Sequence, residues 1–363
     1  PGFKTTIQGK TTSWLVWFMF IGVIPSIAGM GGLAGAVAEA GNTMFPLLST
    51  EVWVLISCLI TWLLLYFGSY RSLERTLLAM VLFFSFMTLI IALAMQSTEY
   101  QVNLNQISEG LSFSLPTEYL PLALAVFGFT GISYGEIMAY TYWCLEKGYA
   151  ENTGNDIEEK KHWIKTMQTD VWITVFFITL GTLPFFFLGA GVLNNVPELQ
   201  ESLATSSFWD VDVISSLQNM FSLVLGGWAK WLFIILAFFV LFSTLLSGTA
   251  AFTRTISDYL ISMGLVKEKT DTRTKLIKLV AFVIPFLSGL FYFILPNPIT
   301  LLLIAGIWAA MGLPIVNIGA LYLINKLEPA LQPKVSTKVI LWVSLVLQLS
   351  LAGLIVYDIG LNF

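Results

Sequence analysis

The sequence predicts an all-α integral membrane protein: nine transmembrane helices in a single domain spanning residues 1–363. Three observations carry that reading. First, of 363 residues 56% are hydrophobic and only 11% charged, where a soluble domain carries roughly 25% charged residues. Second, apolar runs near the length of about 20 residues that a bilayer core demands recur nine times, at 14–38, 52–69, 75–95, 120–143, 170–193, 229–251, 276–295, 300–324 and 338–359. Third, with nine spans the connecting segments alternate sides, and every one of the 18 basic residues except Lys230 then falls on one side. The positive-inside rule makes that side the cytoplasm, so the chain starts inside a plasma or inner membrane and ends outside. A mean hydropathy of +0.81 excludes a soluble enzyme of this size. A net charge of −4 without a basic stripe excludes a nucleic-acid partner. The lipid bilayer is the one partner this composition demands, and the oligomeric state is open.

The first span carries IAGMGGLAGAVAEA, with Gly31 and Gly35 at the spacing that lets two membrane helices approach closely. Pro25, in the same span, is expected to kink it. Further along the chain, Glu39 and Asp170 lie at span ends, where their side chains reach the interface. Arg254 and Asp258, four residues apart, read as an intrahelical pair. Asn317, in MGLPIVNIGALYLIN, is a lone polar residue suited to hydrogen bonding with a neighbouring helix. His162 sits in a charged stretch and reads as a solvated loop residue. Cys58 and Cys144 lie in apolar segments without a metal-ligand spacing, which argues against both a disulfide framework and a metalloenzyme.

Two external links, 96–119 and 194–228, contain Glu99, Glu109, Glu118, Glu198, Glu201, Asp210 and Asp212 but no Lys or Arg. They are either ordinary solvated loops or an acidic mouth that concentrates cations. Within the second link, Val213, Leu217, Met220, Phe221 and Val224 share one helical face. That pattern suits a helix lying on the bilayer surface.

Chemistry inside the membrane concentrates in span 120–143, LPLALAVFGFTGISYGEIMAYTYW. Gly128, Gly131 and Gly135 interleave with Thr130, Ser133 and Tyr134, and Glu136 follows. At about 1.5 Å per residue, Gly131 and Ser133 fall near the bilayer midplane. Glycines weaken a helix there, and irregular backbone at that depth is tolerated only where it is buried in protein or lines a cavity. Hydroxyls and freed carbonyls are hard oxygen ligands, and an intramembrane carboxyl group marks a functional site by default. A glycine-rich packing face with a buried, protonated Glu136 is the alternative. The span is expected to break between Gly128 and Gly135.

GFTGISYGEIMAYTYWCLEKGYAENTG, followed by W-x-x-x-M-x-x-D-V-W, resembles the Nramp family of divalent-metal transporters and its magnesium-transporting branch. FGSYRSLER, LFSTLLSGTAAFTRTISDYL and GLPIVNIGALYLIN extend the resemblance over essentially the whole chain. It implies the LeuT-type fold of two inverted repeats, with the nine spans resembling helices three to eleven. It also implies that the family's first two helices lie outside this chain, which starts at Pro1.

The resemblance makes a divalent cation the substrate and implies no resident cofactor and no enzymatic activity. It implies a substrate site at Phe129, Thr130, Gly131, Ser133, Tyr134 and Glu136. The Phe129 carbonyl and the Thr130, Ser133 and Tyr134 hydroxyls would face the metal, with Glu136 supplying charge. The family's run G-A-T-V-M-P-H aligns with residues 128–134, so Ile132 stands where the family has a soft sulfur ligand and Tyr134 where it has a histidine. Oxygen ligands suit Mg²⁺ and Mn²⁺. Span 14–38, which resembles the family's proton-carrying helix, has no Asp, Glu or His. Both departures favour hard ions without obligatory proton coupling. Two other readings remain: an organic-substrate transporter on the same fold, with Tyr134, Tyr140 and Tyr142 lining a wider pocket, and a non-transporting fragment or assembly partner.

Overall fold

The computed structural model describes residues 4–7, 10–68, 70–112, 126–127, 133–149, 151, 153–154, 156–193, 213–267, 269 and 271–362. A short antiparallel hairpin, β1 (Lys4–Ile7) and β2 (Lys10–Ser13), opens the chain. Helices follow in order: α1 (Trp14–Ile21), α2 (Val23–Met44), α3 (Thr50–Phe67), α4 (Tyr70–Met95), α5 (Leu104–Gly110), α6 (Tyr134–Glu146) and α7 (Ile157–Leu188). After a π-helical turn at Gly189–Leu193 come α8 (Val213–Leu225), α9 (Ala229–Ser262), α10 (Thr272–Ile294), α11 (Pro298–Ile324) and α12 (Val335–Asn362). Eight helices among the described residues are long and apolar enough to cross a membrane. The remaining expected span, 120–143, contributes Tyr134 onward to α6, while 120–125 and 128–132 lie outside the described residues.

The chain divides into two compact units. One comprises 1–114 and 176–302, the other 115–175 and 303–363. The first unit is built around α2, which packs on α3, α9 and α10. Its glycines explain how. A Cβ at Gly31 would fall 2.5 Å from the Ser288 carbonyl oxygen, and one at Gly35 would overlap the Tyr292 ring. Both contacts lie on α10, so the spacing read from the sequence does mark a close helix crossing. Without side chains the two backbones approach, and the apolar residues flanking them, Ala34, Val37 and Ala38 with Val54, Leu245 and Leu246, close a core around the crossing. Inside that core the Cys58 thiol donates to the Pro285 carbonyl at 3.0 Å.

Helices α1 and α2 meet at Gly22, three residues before Pro25, where Gly22 keeps right-handed helical angles of φ −63°, ψ −12°. A proline supplies no N–H to the carbonyl four residues earlier, which here is that of Ile21. The next residue, Ser26, donates its hydroxyl to the Gly22 carbonyl at 3.0 Å.

Several readings are corrected. Helix α2 runs past residue 38 to Met44, so Glu39 lies within it as a half-buried residue. The segment holding His162 is helical, because α7 begins at Ile157, well before the apolar stretch; His162 is exposed there and its ring meets Trp163 edge-on. The amphipathic face of α8 is covered by protein: Met220 and Phe221 are fully buried in a core shared with α4, α9 and the end of α7. A bilayer surface is not needed to satisfy that stripe when neighbouring helices present an apolar groove; the side chains of Val213 and Leu217 lie outside the described residues. Asp258 accepts from Arg273 Nε on α10 at 2.9 Å, while Arg254 turns its guanidinium back to the Ala250 carbonyl at 3.0 Å. A cross-helix pair thus replaces the intrahelical one.

In the second unit α11 and α12 are joined by a polar contact. Asn317 Nδ2 donates to the Leu341 carbonyl at 3.3 Å and to Gln348 Oε1 at 3.2 Å, the neighbour-helix bond expected of it. Asp170 is held at 2.6 Å by the Tyr149 hydroxyl and at 3.5 Å by Lys147 Nζ, both within its own unit. The outer face of α12 exposes Trp342, Val343, Val346 and Leu347, as a lipid-facing helix does.

Candidate functional site

The site is anchored where α6 begins. Ser133 is not helical: its backbone angles are φ −72°, ψ 163°. Extended geometry at that point ends the i→i−4 ladder, so span 120–143 is not one continuous helix. The expected break is therefore present at its C-terminal edge. Phe129, Thr130 and Gly131 lie outside the described residues.

A capping box holds the new helix start. Ser133 N–H donates to Glu136 Oε2 at 2.6 Å, and Glu136 N–H donates to Ser133 Oγ at 3.4 Å. This S-x-x-E pattern satisfies two backbone donors reciprocally. The sequence S-Y-G-E carried the signature. The Glu136 side chain is exposed, and its carboxylate faces the end of α6 where peptide N–H groups carry partial positive charge.

Tyr134 is 7% exposed and points into its own unit. Its hydroxyl accepts from Trp308 Nε1 at 3.1 Å, and its ring occupies the space beside Gly312. The structure therefore brings Ser133 and Glu136 together and seats Tyr134 on α11. Sequence reasoning missed Trp308 and Gly312; they are 174 and 178 positions along from Tyr134, and no local pattern joins them. On the same helix, Tyr140 donates to the Met167 carbonyl at 3.3 Å, which ties α6 to α7. Among the described residues no three His, Cys, Asp or Glu side chains gather into a metal-holding cluster. The described side-chain oxygens at this helix start are the Ser133 hydroxyl and the Glu136 carboxylate, a type of ligand that suits hard divalent ions.

Eight long apolar helices among the described residues, with a helix that starts at an extended Ser133, define the class as a polytopic membrane protein. The chain belongs to the Nramp family: the model for natural resistance-associated macrophage protein-like proteins matches residues 5–358. This is a family of divalent-metal transporters with the LeuT fold. Comparison with curated proteins finds no match.

Proposed function

We propose that the protein carries hard divalent cations, Mg²⁺ or Mn²⁺, across a plasma or inner membrane without obligatory proton coupling. The observation that carries this reading is the non-helical Ser133 heading α6 inside an apolar span. The substrate would meet the Phe129 carbonyl and the Thr130 and Ser133 hydroxyls beside Gly131, directly or through water, since Mg²⁺ dehydrates reluctantly. Tyr134 belongs to the same site, its hydroxyl oriented by Trp308. Glu136 holds the helix start and supplies the nearest formal negative charge. Ile132 offers no soft donor, which removes the preference for soft metals that a thioether confers. The basic loops orient the chain with its start in the cytoplasm.

Proteoliposomes containing the protein, given Mg²⁺, Mn²⁺ and Cd²⁺ separately while internal pH is followed, test this reading. Uptake of Mg²⁺ or Mn²⁺ without internal acidification is the expected result. Cd²⁺ outcompeting both would refute the hard-ion preference, and metal-driven acidification would refute the uncoupled mechanism.

A further inference from the structure

Tyr134 is the first residue of α6, adjacent to the extended backbone of Ser133, yet it is buried. Two residues of α11 account for its position. A Cβ placed on Gly312 would fall 2.5 Å from Tyr134 Cδ1, 2.8 Å from Cγ and 2.9 Å from Cε1. The ring therefore fills the volume that any other side chain at 312 would claim. One helical turn earlier, Trp308 Nε1 donates to the Tyr134 hydroxyl at 3.1 Å. Positions 308 and 312 are four apart and share a helix face. The glycine sets how deeply the ring enters and the indole sets where its far end stops.

A helix start has four N–H groups without intrahelical partners and frays unless held. The capping box holds this one from within, through Ser133 and Glu136. The Tyr134 contact holds it from outside, and Tyr134 lies between the two box residues.

We propose that Gly312 and Trp308 are positioning residues for the cation site: through Tyr134 they latch the first turn of α6 to α11 and fix where Ser133 and Glu136 stand. The inference rests on the functional reading above. Neither residue contacts the ion; each acts through Tyr134. A glycine within a helix destabilises it by about 1 kcal/mol relative to alanine, and at 312 that cost is offset by the seat it provides. The latch predicts that adding a single methyl group at 312 alters ion affinity at a site the methyl does not touch.

The test combines amide hydrogen exchange on the detergent-solubilised protein with Mn²⁺ flux in proteoliposomes. Gly312→Ala is expected to speed exchange at the Glu136 and Ile137 amides roughly tenfold, and to raise the Mn²⁺ concentration for half-maximal flux roughly tenfold, with maximal flux within about twofold of the unmodified protein. Trp308→Phe, which keeps an aromatic ring but removes the donor, is expected to shift both by about threefold to fivefold, the worth of one neutral hydrogen bond. In a Tyr134→Ala background neither substitution should add anything, because the ring through which both act is gone. Unchanged exchange in Gly312→Ala, or undiminished effects in the Tyr134→Ala background, overturns the latch. Faster exchange with unchanged half-saturation overturns its role in positioning the site. Absence of both Mg²⁺ and Mn²⁺ flux in the unmodified protein refutes the functional reading itself, and is told apart because it needs no substitution.

Discussion

Glu136 closes a capping box, and the proposed function gives the same side chain an electrostatic role. Its Oε2 accepts from Ser133 N–H, closing the box at the head of α6, and its charge lies beside the residues proposed to face the ion. Two substitutions separate these roles. Gln keeps an oxygen that closes the box and removes the charge; Ala removes both. We expect Glu136→Gln to preserve slow exchange of the α6 first turn yet lower Mn²⁺ flux by roughly tenfold, because charge is poorly screened at membrane depth. Glu136→Ala should lose the flux and also destabilise the helix start by about 1 kcal/mol, the usual worth of a cap. If Gln restores full transport, the carboxylate serves the helix alone.

At the scale of elements, the first unit depends on how closely α2 and α10 approach. Gly31 meets a backbone carbonyl, that of Ser288, at 2.5 Å from an added Cβ, and backbone does not yield cheaply. Gly31→Ala is expected to destabilise the protein by about 1–3 kcal/mol, the range for overpacking a well-filled core. Thermal unfolding in detergent measures it. Gly319, on α11, has nothing within 4 Å of an added Cβ, and there the helix preference of alanine should act alone. Gly319→Ala should leave the midpoint unchanged or raise it slightly. Equal effects at the two positions would show that helix propensity, not close approach, governs both. The same contrast explains why a spacing motif was legible here. Small residues four apart have one common use between membrane helices, whereas the partner helix, α10, is named only by the folded chain.

Across the whole molecule, the distribution of basic residues makes a prediction about sidedness. With the native thiols Cys58 and Cys144 both buried, single cysteines introduced at exposed positions report on accessibility alone. Cysteines at Lys161 and at Lys326 should label from the cytoplasmic side, and cysteines at Gln101 and Asn103 from the opposite side. Labelling of Lys161 and Gln101 variants from the same side would break the proposed topology. It would also show that span 120–143 does not cross.

By itself the sequence determined that this is a helical membrane protein, where eight of its spans lie, and that the backbone breaks helical geometry at Ser133. These are properties of hydropathy, local glycine content and the S-Y-G-E box, all of which act between residues close in the chain. The GxxxG crossing and the bonding of Asn317 were legible for the same reason, since each is a local composition with few physical uses. Only the tertiary structure decided what covers each face. The α8 stripe suits lipid or protein equally well until Met220 and Phe221 meet α4 and α9. Asp258 sits four residues from one arginine and is taken by another on α10. No pattern in its own segment names a partner for Tyr134; only the folded chain brings Gly312 beside its ring and Trp308 to its hydroxyl. Pairings between distant segments depend on shape and on which competing donor arrives with the better geometry, and neither is written in the spacing of neighbouring residues.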